Sequence, residues 1–151
     1  MKILYFINHR PFFVSHRLPI ALKMKSEGHS INLLTGICSD KKMEKYAKIE
    51  LKKKSIKTKI INFKSSSINI FKEIFFFIKA YSYIKQLKPD LIHSASMKTN
   101  IVGGLCALLL KKPLVIAFSG FGYVFTEKKN LKVLILKFLI IILIRIIFMN
   151  K

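Results

Sequence analysis

The hydrophobic positions of this chain fall into short solid runs separated by segments with helical spacing. Lys2–Ile7 is an almost uninterrupted apolar run, which is typical of a strand buried on both faces of a sheet. Runs of the same kind recur along the chain. They predict further strands at Ser30–Leu34, Ile56–Phe63, Leu91–Ile92 and beyond, Leu114–Phe118 and, as the opening of a sixth strand, Ile146–Met149.

Helical spacing fills the intervals between these strands. The clearest helix has an apolar face formed by Phe71, Ile74, Phe75, Ile78 and Tyr81. Four further helices are predicted. The first ends near Glu27 and the second, Asp40–Lys54, faces solvent. The others lie around Ile101–Leu108 and from Leu131 to about Ile142. Strands that alternate with helices predict a Rossmann-like α/β fold, in which helices cover both faces of a parallel sheet.

The chain is strongly basic, with 28 Lys and Arg residues, 7 Asp and Glu residues and a formal net charge of +21. Nucleic acid, an anionic membrane surface and a phosphorylated ligand are therefore candidate partners, although an AT-rich genome equally produces such a lysine excess. Nucleic-acid binding ranks last, because no known binding motif accompanies the charge. Cys38 and Cys106 lack metal-ligand or redox spacing, so reduced thiols and no metal site are expected.

Two apolar segments bear on the cellular location. Ile3–Ile7 is too short for the core of a signal peptide, so the chain is expected to stay in the cytoplasm. Leu131–Met149 approaches the roughly 20 residues that span a bilayer, but it contains Lys132, Lys137 and Arg145. Each charge near the middle of a membrane costs about 2.5 to 3.5 kcal/mol, which favours a helix followed by a strand.

Ligands of an open parallel sheet bind beyond the carboxyl ends of its strands, near the point where the strand order reverses. This rule selects four segments, Asn8–Arg17, Thr35–Gly36, His93–Asn100 and Ser119–Thr126. The first brings Arg10, His16 and Arg17 toward a helix N-terminus, where anions are favoured. A phosphate site and a packed histidine with solvated arginines both fit this pattern. No glycine-rich dinucleotide motif or Walker lysine motif is present, so NAD and ATP are not expected as ligands.

The segment after the fourth predicted strand offers His93, Lys98 and Asn100 together with three hydroxyl groups. A histidine at such a position can serve as a general acid, a base or a polar anchor, whereas a lone histidine is more often structural. We take His93 as the candidate catalytic residue, and Lys98 and Asn100 as candidate substrate-binding residues.

The segment after the fifth predicted strand is rich in glycine and aromatic residues. Gly120 and Gly122 let the backbone approach a ligand closely, and Tyr123 offers a ring that can stack on a sugar or cover a lipid. These three residues complete the set of candidate binding residues.

Three ordered blocks of this sequence resemble bacterial glycosyltransferases of family 4. They are Ser15–Leu22 at the start of the first helix, Asp90–Gly104 and Ser119–Phe125. The resemblance covers essentially the whole chain and is closest to members that build lipid-linked oligosaccharides, O-antigen and capsule, including N-acetylgalactosaminyltransferases.

The resemblance implies the amino-terminal half of a GT-B fold, in which two Rossmann-like domains face each other across a cleft. This half binds the acceptor, typically a sugar on undecaprenyl diphosphate at the inner leaflet. The other half binds the nucleotide sugar, and transfer retains the anomeric configuration without a metal ion or other cofactor. Many members carry a second histidine two residues after the first, where this chain has Ala95. The catalytic role of His93 therefore rests on one histidine instead of two.

Two alternatives follow for residues 1–151, read as an acceptor-binding domain that stops inside its sixth strand. In the first, the chain is part of a sugar transferase and is inactive without the donor-binding domain. In the second, it is a non-catalytic acceptor-binding subunit that recruits a separate donor-binding chain to the membrane. Both place it at the inner face of the cell membrane. The predicted membrane contacts are Lys128, Lys129, Lys132, Lys137 and the aromatic segment Phe121–Phe125.

Overall fold

The computed structural model describes residues 1–63, 70–118 and 131–149 and shows a parallel sheet of five strands. Along the chain the strands are β1 (Lys2–His9), β2 (Ser30–Gly36), β3 (Lys57–Ile60), β4 (Leu91–Ala95) and β5 (Leu114–Ala117). Their order across the sheet is β3-β2-β1-β4-β5, and every neighbouring pair is parallel. The predicted Rossmann-like fold class is therefore confirmed.

Helices cover both faces of this sheet. They are α1 (Arg10–His16), α2 (Leu18–Ser26), α3 (Lys41–Lys53), α4 (Ile70–Leu87), α5 (Met97–Leu109) and α6 (Leu131–Met149). Alternate side chains of β1 supply two cores, because successive residues of a strand point to opposite faces. Tyr5 packs with α1, α2 and α3 on one face, and Phe6 packs with α4, α5 and α6 on the other.

The carboxyl-terminal segment differs from the prediction. Leu131–Met149 is a single helix, so the predicted strand at Ile146–Met149 is wrong. Short apolar runs do not distinguish a helix from a buried strand, and no glycine or proline interrupts this one. Ile147 continues the helical packing by lying against Gly104 of α5. None of the helices in the described part of the chain is long and apolar enough to cross a membrane.

The segment after β1 also differs from the prediction. Asn8–Arg17 is not a loop, since β1 extends to His9 and α1 begins at Arg10. Arg17 then separates α1 from α2, close to Pro19, which cannot donate a backbone hydrogen bond. The predicted third strand shortens to Lys57–Ile60, at the edge of the sheet as expected.

Candidate functional site

The strand order reverses between β1 and β4, which makes the carboxyl ends of these two strands the candidate site. From β1 the chain continues to β2 on one side, whereas β4 leads to β5 on the other. In open parallel sheets, ligands bind at the edge where two such crossovers diverge. The junction after α1 and the first turn of α5 border the same edge.

His93 lies inside β4 instead of in the loop after it, and it is paired in register with Tyr5 of β1. The two rings stack with centroids 4.9 Å apart and planes at 27°. The His93 Nε2 atom is buried and has no hydrogen-bond partner among the described residues. Burial, followed by the nearby charge of Arg17, lowers the pKa of His93 to about 4. The imidazole is therefore neutral at physiological pH.

Arg17 is half-buried at the junction of α1 and α2. Burial lowers the pKa of His93, and the charge of Arg17 lowers it further. Burial raises the pKa of Tyr5, and the charge of Arg17 partly offsets that rise. The guanidinium therefore lies near both rings. The Arg17 Nε atom is buried without a hydrogen-bond partner in the part of the chain that the structure describes. A buried donor of this kind gains much from an anionic or carbonyl acceptor. The Arg17 Nε atom therefore does not match the solvated arginine that we considered as the alternative to a phosphate site. The phosphate site stays a prediction.

Arg10 has a different environment, although it belongs to the same short segment as Arg17. Its Nε atom donates to Oε1 of Glu44 at 2.6 Å, and both side chains are buried. Glu44 belongs to α3 and also accepts from the backbone N–H of Cys38. Arg10 therefore ties α1 to α3. Its predicted role in substrate binding stays a prediction, because its guanidinium already has a carboxylate partner.

His16 is exposed at the end of α1. Its ring stacks on Phe12 at a centroid distance of 4.4 Å, and its Nδ1 atom lies 2.6 Å from the Ser15 hydroxyl. These contacts match the packed histidine that we considered as the alternative to a phosphate ligand. His9 occupies the start of α1 instead, where its Nδ1 atom accepts from the backbone N–H of Phe12.

Lys98 and Asn100 both lie in the first turn of α5. The Lys98 Nζ atom donates to Oε1 of Glu73 at 2.8 Å, which joins α5 to α4. Asn100 is buried, and its amide donates to the carbonyl of Ala117 at the end of β5. The Asn100 Oδ1 atom is buried without a partner among the described residues. Asn100 thus resembles Arg17 and His93 in keeping an unused hydrogen-bonding atom at this edge.

The turn between β4 and α5 is strained. Ser96 has a φ of 92°, in a region that a residue with a side chain rarely adopts. Such strain is common at functional sites, where surrounding contacts hold it in place. Here the Ser96 hydroxyl lies 2.9 Å from that of Thr99, which also donates to the carbonyl of Ala95.

The remaining predicted site residues lie outside the described part of the chain. These are Gly120, Gly122 and Tyr123.

Arg17, His93 and Asn100 each keep an unused hydrogen-bonding atom, and these atoms suit a polar, anionic ligand. Arg17 supplies a cation, Asn100 an amide oxygen and His93 a neutral imidazole. A pKa of about 4 makes His93 a weak base at neutral pH, so it is better suited to accept a hydrogen bond than to remove a proton. No group of three metal-ligating side chains occurs in residues 1–63, 70–118 and 131–149.

The sequence analysis overlooked Tyr5 and Glu44, and it counted Ser94 only as one of three hydroxyl groups. Tyr5 lies in a solid apolar strand, where only the register across β1 and β4 shows which residues meet. Ser94 is fully buried, and its hydroxyl has no partner among the described residues. Glu44 lies in a lysine-rich helix that was expected to face solvent. Glu44 lies one helical turn before Ala47, and this spacing could have indicated that Glu44 shares the buried side of the helix.

Comparison with known proteins identifies the family. A family model described as glycosyl transferase 4-like matches residues 2–150. The chain belongs to this family. The resemblance to family 4 glycosyltransferases in the sequence is therefore confirmed.

One curated relative of this family member is a UDP-Gal:alpha-D-GlcNAc-diphosphoundecaprenol alpha-1,3-galactosyltransferase of Escherichia coli. It is 33% identical over 67 residues, which is 44% of this chain and 17% of the galactosyltransferase. The matched region is thus a small part of the length of that relative.

Solved structures support the fold. MurG of Acinetobacter baumannii aligns with a TM-score of 0.60 and 21% identity, over 80% of this chain and 36% of MurG. The UDP-GlcNAc 2-epimerase of Neisseria meningitidis, solved with UDP-GlcNAc bound, aligns with a TM-score of 0.61 and 16% identity, over 93% of this chain and 39% of the epimerase. At these identities the comparisons show a shared Rossmann-like fold.

Proposed function

We propose that this chain is the acceptor-side domain of a glycosyltransferase that builds surface polysaccharide, such as lipopolysaccharide O-antigen or capsule. A hexose or N-acetylhexosamine passes from a nucleotide sugar to a glycan on a lipid diphosphate, at the inner face of the cell membrane. Family membership supports the reaction class. The relative named as acting on a GlcNAc-diphosphoundecaprenol supports the class of acceptor.

The observation that carries this proposal is a set of three unused hydrogen-bonding atoms on elements that meet at the reversal of strand order. Arg17 Nε, His93 Nε2 and Asn100 Oδ1 are all buried without a partner among the described residues. A diphosphate can accept from Arg17, and sugar hydroxyl groups can donate to His93 and Asn100. The acceptor is therefore a ligand whose chemistry fits all three atoms.

His93 acts in this proposal as a neutral anchor for a sugar hydroxyl in the reacting complex. Its neutral state matters because a protonated ring beside Arg17 would place two positive charges together. The nucleotide sugar binds to a second domain facing this edge, and transfer retains the configuration of the anomeric carbon. No metal ion is required on the acceptor side.

The test compares acceptor binding with turnover by the purified chain. We expect a short-chain lipid diphosphate bearing GlcNAc to bind, and labelled nucleotide sugars to remain untransferred in the presence of membrane extract. Robust transfer by this chain alone would overturn the division of labour between two domains. Failure to bind the acceptor, in a chain shown to be folded by circular dichroism, would overturn the acceptor-side assignment.

A further inference from the structure

Helix α4 has a buried side and an exposed side, and the exposed side is apolar in the first half of the helix and polar in the second. Phe76, Ala80 and Ile84 form the buried side, which packs on the sheet and on α5. The opposite side of the first turns carries large exposed apolar side chains. These are Phe71, which is 79% exposed, Ile74, Phe75, which is 58% exposed, and Ile78, and we call them the α4 face.

The α4 face ends abruptly along the helix. Beyond Ile78 the same side of α4 carries Ser82, Lys85 and Gln86, which are exposed and polar. The helix therefore tolerates a polar surface on this side, and the apolar half is not required by the core. An exposed apolar patch of limited extent, bordered by polar residues, is typical of an interaction surface.

The α4 face lies at the same edge of the sheet as the candidate site. Glu73, in the first turn of α4, pairs with Lys98 in the first turn of α5 at 2.8 Å. That turn of α5 also contains Asn100 and directly follows the strand that carries His93. A surface bound by the α4 face would therefore lie next to the candidate site.

The charges around the α4 face indicate what it binds. Exposed Lys72 and Lys79 border the apolar side chains, and the Lys79 Nζ atom lies 4.3 Å from the centroid of the Phe75 ring. Apolar side chains flanked by lysines favour an anionic bilayer, where rings enter the interface and ammonium groups reach the headgroups. A second copy of a chain with a net charge of +21 would be repelled.

We propose that the α4 face docks on an anionic lipid surface and holds the candidate site at the level of the headgroups. The proposal rests on the proposed function, since the diphosphate of a lipid-linked acceptor lies at that level. It places the contact on α4, whereas the sequence pointed to lysines near α6 and to Phe121–Phe125. That aromatic segment, like Lys128 and Lys129, lies outside the described residues.

The absence of tryptophan from the sequence gives a direct test. Phe75→Trp places the only indole of the chain on the α4 face. Tyr46→Trp is the matched control on α3, where Tyr46 is 61% exposed on the opposite face of the sheet. Phe138→Trp reports on the exposed apolar side of α6. All three replace exposed rings, so circular dichroism should remain unchanged.

With vesicles of phosphatidylcholine and phosphatidylglycerol, Phe75→Trp should shift its emission to the blue and be quenched by brominated lipid. Tyr46→Trp should show neither effect, and vesicles of phosphatidylcholine alone should bind poorly. High salt should release much of the protein, because the attraction between lysine and anionic lipid is screened. Quenching of Phe138→Trp or Tyr46→Trp while Phe75→Trp is unaffected, or quenching of none of the three, would overturn the proposal.

A second variant separates docking from the proposed function. Phe71→Ser combined with Phe75→Ser should weaken partitioning to anionic vesicles by about tenfold or more, because two aromatic rings are lost from the interface. The same variant should still bind a water-soluble analogue of the lipid diphosphate acceptor. Unchanged partitioning would overturn the docking proposal. Docking that persists in a protein unable to bind the analogue would instead count against the proposed function.

Discussion

His93 and Tyr5 are neighbours on adjacent strands, and their rings stack at a centroid distance of 4.9 Å. The contact fixes the imidazole plane at the edge of the sheet and leaves the Nε2 atom buried without a partner among the described residues. It also contributes to the partial burial of the ring, and burial is the first cause of its low pKa. The fold thus holds a neutral imidazole in place before any ligand binds.

The low pKa of His93 predicts how stability depends on pH. Between the ordinary value near 6.5 and the folded value of about 4, the unfolded chain binds a proton that the folded chain does not. Stability should therefore fall as the pH falls through this window. The slope should stay below about 1.4 kcal/mol per pH unit, because only one proton is involved and the partial exposure of the ring lowers the effect further.

Urea unfolding of wild type and of His93→Asn at several pH values measures this effect. The wild type should lose more stability than the variant between pH 6.5 and pH 4. His16→Asn, which alters an exposed ring, should behave like the wild type. Equal pH dependence of the wild type and His93→Asn would show that His93 titrates normally.

The Arg10–Glu44 ion pair predicts strong coupling between α1 and α3. Both side chains are only 11% exposed, so removing one partner leaves a buried charge. Glu44→Ala or Arg10→Ala alone should lower the free energy of unfolding by about 3 kcal/mol or more. The double substitution should cost clearly less than the sum of the two.

A double-mutant cycle in urea checks this coupling. The exposed pair of Lys53 and Glu50 serves as the control, because surface pairs of this kind contribute about 0 to 1 kcal/mol. Additive effects of the two substitutions would contradict a stabilising ion pair between Arg10 and Glu44. They would also restore Arg10 as a residue available to a ligand.

The glycine at the end of β2 predicts a steric limit next to the site. A Cβ atom on Gly36 would lie 2.7 Å from the backbone carbonyl oxygen of Asn8 at the end of β1. The backbone cannot yield as a side chain can, so Gly36→Ala should destabilise the fold by about 1 to 3 kcal/mol.

Gly104→Ala is the matched substitution for comparison. Its Cβ atom would meet the Cδ1 atom of Ile147 at 2.6 Å and the Cγ2 atom at 3.0 Å, and this side chain can shift more readily than the Asn8 carbonyl. Alanine also favours a helix over glycine by about 1 kcal/mol. Thermal unfolding should therefore show a smaller loss for Gly104→Ala than for Gly36→Ala. The reverse order would contradict the packing described for β1 and β2.

The five strands of the sheet followed from the sequence because they depend on local patterns. The position of the candidate site stays a prediction. The run Lys2–Ile7 is too short for a typical helix and fits a buried strand, and the ends of such strands mark the edge where ligands bind. The same reasoning predicted the end of Leu131–Met149 wrongly, as a strand. An apolar run without a breaker satisfies both helical and extended packing, and only the contact of Ile147 with α5 decides between them.

The roles of individual site residues depended on contacts that no local pattern contains. Arg10 and Arg17 belong to the same short segment, yet one is paired and the other keeps an unused Nε atom. The difference comes from Glu44, which lies 34 residues from Arg10 in the sequence. In the same way, Lys98 is joined to Glu73 of α4. Its predicted role in substrate binding stays a prediction.

The measurement that tests the central claim most directly is the affinity of the purified chain for a short-chain lipid diphosphate bearing GlcNAc, determined by titration calorimetry. Arg17→Gln should weaken binding by about tenfold or more, because a charge-assisted hydrogen bond to the diphosphate is lost. His93→Ala should also weaken it. Lys45→Gln, which removes an equal charge from the exposed side of α3, should bind like the wild type. Equal affinity of Arg17→Gln, His93→Ala and the wild type would contradict an acceptor site at the carboxyl ends of β1 and β4.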